Sequence, residues 1–163
     1  MKPTSIRFRT IRIRPNLLQF VINEFPLLAV STGLLFYSGM EDMPLQGLSL
    51  IIGFITTMIL VYRLIYMCRT IYRIEDEVFV YEHGIFQRKV DYTELYRIVD
   101  FNEHQNLFQQ ILGIKTISIF SGDRTTPKVD MIGINVKEEI VGIIRERVEY
   151  NKRRRSIYEI TNR

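Results

Sequence analysis

The chain has 163 residues, with 22 Lys and Arg against 18 Asp and Glu and a net charge of +4 at pH 7. That length allows one domain of ordinary size, or a small domain joined to a membrane anchor. Its single cysteine, Cys68, excludes an intrachain disulfide and reads as a small apolar filler, with palmitoylation near a membrane end as the minor alternative.

Residues 1–15 form a basic N-terminal segment. In IRFRTIRIR, apolar residues alternate with Arg7, Arg9, Arg12 and Arg14, with a slip at Thr10. The pattern is strand-like, and a basic strand of this kind would either pair with a sheet edge or lie on lipid headgroups.

Residues 16–68 read as a two-span transmembrane hairpin. One apolar run extends from Leu17 to about Gly39 and a second from Leu45 to about Met67, and no Lys or Arg occurs between Asn16 and Tyr62. Each run is close to the ~20 residues that cross a hydrocarbon core of about 30 Å. A buried helical hairpin in a soluble protein is the competing reading, but it needs a large surrounding core that the remaining chain is too short to supply. The first run is followed at once by the second with no small-residue cleavage pattern, so a signal peptide is not expected. Arginines flank the hairpin at both outer ends (Arg7 to Arg14, and Arg63, Arg69 and Arg73), while the link MEDMP carries only Glu41 and Asp42. Positive flanks stay cytoplasmic. The expectation is an inner-membrane protein with both termini in the cytoplasm.

Within LLQFVINEFPLLAV the polar residues are Gln19, Asn23 and Glu24. Folding the spans antiparallel brings Glu24 to the depth of Tyr62 and Arg63, toward the cytoplasmic face. A charge at the bilayer centre costs roughly 2.5–3.5 kcal/mol on insertion scales, and less near the interface. The expected role is an intramembrane clasp of Glu24, Arg63 and Asn23 that fixes the hairpin register. Asn23 is also placed to help satisfy the backbone carbonyl freed by Pro26. A proton or ligand site, or plain interfacial placement, are the other readings.

Residues 69–150 form the cytoplasmic domain. From Arg69 the pattern has period two: Val78 and Val80 alternate with Phe79 and Tyr81, His83-Gly84 marks a turn, and Phe86, Val90 and Tyr92 share a face of the next strand, with Arg88 the odd member. LYRIVDFNEHQNL reads as a longer bent strand, and KTISIFSGDRTTPKVDMIGI as two strands joined by a turn. Six or seven such strands point to an antiparallel meander or barrel. Gly113 suits a left-handed cap after a short helical turn from Leu107 to Leu112, which would plug the barrel with Leu107, Ile111 and Leu112 in the core. Val136, Ile140, Ile143, Ile144 and Val148 then recur at helical spacing. Asn135 and Glu138 are spaced as a capping box. The fold class is α+β, a two-helix hairpin followed by an antiparallel barrel closed by a C-terminal helix.

Tyr72 and Ile74 opening the first strand, Gly84 before the next, and YRIVDFNEHQNLFQQILGIKTISIFSGD resemble the membrane-anchored bacterial pleckstrin-homology-like (PH-like) domains. In that run Gln105 is followed by Leu107, Phe108, Ile111, Leu112 and Gly113, and the last strand ends in Ser121-Gly122-Asp123. The resemblance covers about Arg69 to Tyr150 together with the order of the spans. It implies a pleckstrin-homology barrel and brings no catalytic residues with it.

No catalytic constellation stands out. His83 and His104 have no second His or Cys at ligand spacing, SGDRTTPK lacks the phosphate-loop pattern, and Glu138-Glu139 suits the first turn of a helix. No enzyme, metal or cofactor is expected. The tail, residues 151–163, carries Lys152, Arg153, Arg154 and Arg155. Near an anionic leaflet each basic residue is worth about 1 kcal/mol, so these four and Arg7, Arg9, Arg12 and Arg14 are the expected contacts to anionic phospholipid. The tail lacks the interleaved aromatics of a nucleic-acid site, and a nucleic-acid partner is not expected. The composite expectation is a non-enzymatic membrane protein whose domain mediates protein interaction, self-association or anionic-lipid contact. The alternative is a small subunit of a transport, export or envelope-stress complex in which the polar residues of the spans act.

Overall fold

Two long helices dominate the N-terminal part, their long apolar runs sustaining helix even through Pro26 in the first of them. The structure, a computed structural model, describes residues 8–42 and 44–155. Helix α1 spans Leu18–Ser38 and α2 spans Gln46–Arg69. Both are long and apolar enough to cross a membrane, and only 6% and 17% of their most apolar stretches are buried. A helix of a soluble core would be largely covered, which these are not. The seam between them is built from small and polar groups. Gly53 lies against Leu35, the Ser31 and Thr57 hydroxyls meet at 2.8 Å, and the Ser49 hydroxyl donates to the Leu34 carbonyl at 2.8 Å. Small residues let helix backbones approach, and the hydroxyls at the seam find hydrogen-bond partners on the facing helix.

The domain is α+β, as its period-two pattern predicts. Strands β1 (Ile11–Ile13), β2 (Ile71–Ile74), β3 (Val78–His83) and β4 (Lys89–Glu94) form one antiparallel sheet in sequence order. A 3-10 turn at Leu95–Arg97 leads to the second sheet, made of β5 (Ile98–His104), β6 (Ile114–Ser121) and β7 (Lys128–Asn135). Helix α3 (Leu107–Leu112) joins β5 to β6, and helix α4 (Ile140–Arg154) ends the described chain. The sheets face one another across Tyr72, Ile74, Phe79, Ile98, Ile117, Ile119 and Met131, and α4 closes the core with Ile140, Ile144 and Val148. Fully burying a side chain of this kind contributes roughly 1.5–3 kcal/mol.

The sheets are not joined into a closed barrel. On the open side the Tyr72 hydroxyl from β2 donates to the Asp130 carbonyl (3.1 Å) and accepts from the Ile132 N–H (3.3 Å). One phenol thus takes the place of ladder bonds that a neighbouring strand would have made to β7. Burial pushes the Tyr72 phenol well above its ordinary range.

The basic N-terminal segment follows the first of its two expected uses. Ile11 pairs with Ile74 and Ile13 with Tyr72, so β1 extends the sheet edge and the domain draws strands from both sides of the hairpin. Three local expectations are corrected. Phe86 belongs to the β3–β4 turn, and on β4 it is Thr93, opposite Phe79, that is buried, while Tyr92 is exposed. The turn consumes Phe86 to Arg88, and with a side-chain period of two the inward face is set by where pairing begins. The bent strand starts only at Ile98, after the 3-10 turn. Helix α4 starts at Ile140 rather than at Asn135. The Asn135 carboxamide accepts from the Lys137 N–H (3.0 Å), and Val136 N–H is held by the Gly113 carbonyl (3.0 Å). These bonds give the backbone an alternative to the helix. A capping box does form, at Asn106 and Gln109 ahead of α3.

Candidate functional site

The open seam between the sheets is where the hairpin seats. Asn16 N–H donates to the Gly133 carbonyl at 2.9 Å, fixing the entry of α1 against β7. Gly133 has φ +65°, and a Cβ there would lie 2.9 Å from the Gln19 side chain and 3.0 Å from the Asn16 nitrogen. Only glycine fits that contact. One turn further on, the buried Gln19 carboxamide accepts from Gln109 Nε2 on α3 (2.8 Å) and donates to Asn23 Oδ1 (2.8 Å). Gln109 also donates to the Thr116 hydroxyl (2.9 Å). This polar chain ties α1 to α3 and β6.

Between the seam and the hairpin lies a cavity of about 520 Å³, lined by groups such as Glu24, Tyr62, Arg63, Tyr66, Tyr81 and Asp130. Seven of its twelve lining residues come from the hairpin helices and five from the domain side. Arg63 Nη1 straddles the Glu24 carboxylate, at 2.8 Å from Oε1 and 2.7 Å from Oε2. The Glu24 side chain is 11% exposed and that of Arg63 is 54% exposed. Burial pushes the Tyr81 phenol up to about 12, with Tyr66 beside it adding to the effect. Burial works to raise the Asp130 carboxyl, yet hydrogen bonds from Ser118 (2.6 Å) and Lys128 (3.1 Å) outweigh it and hold the group below the ordinary carboxylate range. The site therefore offers aromatic walls, phenolic hydroxyls, one half-exposed guanidinium and a carboxylate.

Glu24 and Arg63 thus meet, whereas Asn23 turns to Gln19 within its own helix. The basic residues are dispersed. Among those described, Arg14 lies nearest the hairpin, Arg12 sits opposite Arg73 in the sheet, and the Arg9 carbonyl accepts from Arg147 (2.7 Å) toward the far end. Arg7 is outside the described residues, as is the tail beyond Arg155. Lys152 to Arg155 end α4 at the β2–β3 turn, a strand's length from where α2 enters the domain. There Arg154 pairs with Glu77 at 2.7 Å, Arg155 lies 4.3 Å from the Tyr96 ring centroid, and Arg153 pairs with Glu149 at 3.2 Å. Arg153, Arg154 and Arg155 are thus engaged with acidic and aromatic groups of the domain itself. Further cations at the hairpin end include Arg69, Arg88 and Lys89. Arg88 is held by Glu82 (2.8 Å), which also pairs with Arg73.

Sequence reasoning missed the Gln19–Gln109 link, the tyrosine lining and the role of Arg147. Only the first left a signal, a glutamine inside an apolar run. Arg147 is buried under α4 and donates to the carbonyls of Ile74 (2.8 Å), Glu75 (3.0 Å) and Arg9. The α3 expectation is corrected too: Leu107, Ile111 and Leu112 are exposed, as is Phe108, and the buried residue of that helix is Gln109. Gly113 does cap it, with φ +66°. Among the described residues no cluster of His, Cys, Asp or Glu could hold a metal ion.

Comparison with known proteins adds one finding. The family profile described as Bacterial PH domain matches residues 20–148, taking in the long helices as well as the sheets. No curated protein and no solved structure gives a significant match. A match over that much of the chain, on a fold of this architecture, means that the chain belongs to the bacterial PH domain family.

Proposed function

We propose that the protein is a non-enzymatic membrane-anchored recognition module. Its two helices span the inner membrane with both termini cytoplasmic, and its PH domain engages lipid of the leaflet on which it stands. The observation that carries this reading is the position of the 520 Å³ cavity, built jointly by hairpin and domain. On a spanning hairpin it opens at the boundary between headgroups and acyl chains. Half-exposed Arg63 faces it with donors left over from Glu24, suited to a phosphate, and Tyr62 and Tyr66 are the amphipathic aromatics that favour this depth. The distribution of arginines around the spans supports the orientation.

The test is lipid retention. The full chain, purified in mild detergent, should carry a phospholipid identifiable by mass spectrometry. Filling the cavity with Ile132→Trp should abolish that retention while leaving the fold intact by circular dichroism. Equal lipid content in wild type and variant would contradict the reading.

A further inference from the structure

The hairpin end of the domain exposes apolar side chains that a soluble surface would not. On α3, Leu107 is 75% exposed and Ile111 80%, with Phe108 and Leu112 completing one face, and Phe86 in the β3–β4 turn is 90% exposed. These groups are held in place. The inner face of α3 is pinned to α1 through the Gln109–Gln19 bond at 2.8 Å, and the Phe86 ring stacks on Tyr62 of α2 with centroids 6.4 Å apart.

Their depth follows from helix geometry. The 21 residues of α1, at 1.5 Å each, make about 31 Å, which matches a hydrocarbon core of about 30 Å. If Ser38 lies at one boundary, Gln19 lies at the other, and so does α3. Tyr62 is 16 residues beyond Gln46 in α2, roughly 24 Å along the helix, so Phe86 sits inside the same boundary.

We propose that α3 and the β3–β4 turn are two apolar feet that enter the headgroup–acyl boundary of the membrane the hairpin spans, an inference that rests on the anchoring reading above. The occupant is lipid rather than a second protein for three reasons. One foot stands against α1 and the other against α2, an arrangement that suits a plane. The adjoining end of each helix also exposes apolar residues, Leu18 and Val21 on α1 and Ile65 on α2. Arg88 and Lys89, both exposed, rim the Phe86 foot as phosphate partners, the pattern of interfacial segments.

The chain has no tryptophan, so a single introduced one reports alone. Four full-length variants suffice: Phe108→Trp and Phe86→Trp in the feet, Phe54→Trp in the span, and Val99→Trp in β5 away from the hairpin. Each is reconstituted into phospholipid nanodiscs with and without bromine on the acyl chains. The feet and the span position should lose fluorescence to brominated lipid and emit at shorter wavelength than position 99, which should lose none. A foot whose tryptophan behaves like position 99 is overturned while quenching at position 54 keeps the anchoring intact. A blue-shifted but unquenched foot means that protein covers it, which also overturns the proposal. Absence of quenching at position 54 removes the anchoring and the feet together.

Discussion

The Glu24–Arg63 pair makes a quantitative prediction about the hairpin. Glu24→Gln and Arg63→Gln each remove one charge, and the double variant removes both. Two unit charges at about 4 Å interact by about 4 kcal/mol at an effective dielectric of 20, but several features reduce that figure here. A single nitrogen serves both carboxylate oxygens, so the two parallel N–H···O bonds of a fork are not formed. The Arg63 side chain is 54% exposed, which brings screening and a loss of side-chain entropy. Interhelical polar contacts within membranes average about 0.6 kcal/mol by double-mutant cycles. A coupling of about 0.6–1.5 kcal/mol is therefore expected, a factor of roughly 3–12 in the unfolding equilibrium. Denaturation of the four proteins by sodium dodecyl sulfate in mixed micelles measures it, and the double variant should lose less than the sum of the singles. Additivity within about 0.3 kcal/mol would mean that the side chains do not meet in the folded hairpin.

Other residues give further tests. Gly133→Ala should destabilise the junction by at least the 1–2 kcal/mol of a left-handed alanine, and proteolysis near Pro15 should quicken, because a Cβ there meets Asn16. Arg147→Ala strips three carbonyls of their donor. With about 1–3 kcal/mol for each group left unsatisfied and water entering to relieve some of it, a loss of about 2–4 kcal/mol is expected in thermal unfolding of the full chain. Tyr81, raised from 10 to about 12, contributes stability that is fully present below pH 10 and lost as pH rises toward 12. Tyr81→Phe should flatten that alkaline decline, and an unchanged slope would show that its phenol is not buried as described.

Much of this architecture was written in the sequence because its signals are local. The hairpin follows from an absence of Lys and Arg over 47 residues (16–62), and the meander from period-two runs, since both depend on neighbours within one element. Gly113 was legible because a left-handed cap demands a particular residue type. The Glu24–Arg63 contact was legible because an antiparallel hairpin with a short link has one register. What failed needed tertiary knowledge. Leu107, Ile111 and Leu112 have core composition, and nothing in their spacing says that Gln109 turns inward to meet a residue 90 positions away. Charge alone did not show that α4 runs back to Glu77, where Arg154 and Arg155 pair with it. Asn135 had the spacing of a cap but spends its side chain on a local turn. The cavity was invisible because its walls come from α1, α2, β2, β3 and β7.

The central claim is that the domain stands on the cytoplasmic side of a membrane crossed twice by the hairpin. It is tested most directly by thiol accessibility in intact cells. With Cys68 replaced by Ser, single cysteines are placed at Glu41 in the link and at Arg124 in the β6–β7 turn, and an impermeant maleimide is added before and after lysis. The account predicts labelling at position 41 without lysis and at position 124 only after it. Labelling of position 124 in intact cells, or protection of position 41 until lysis, would contradict it.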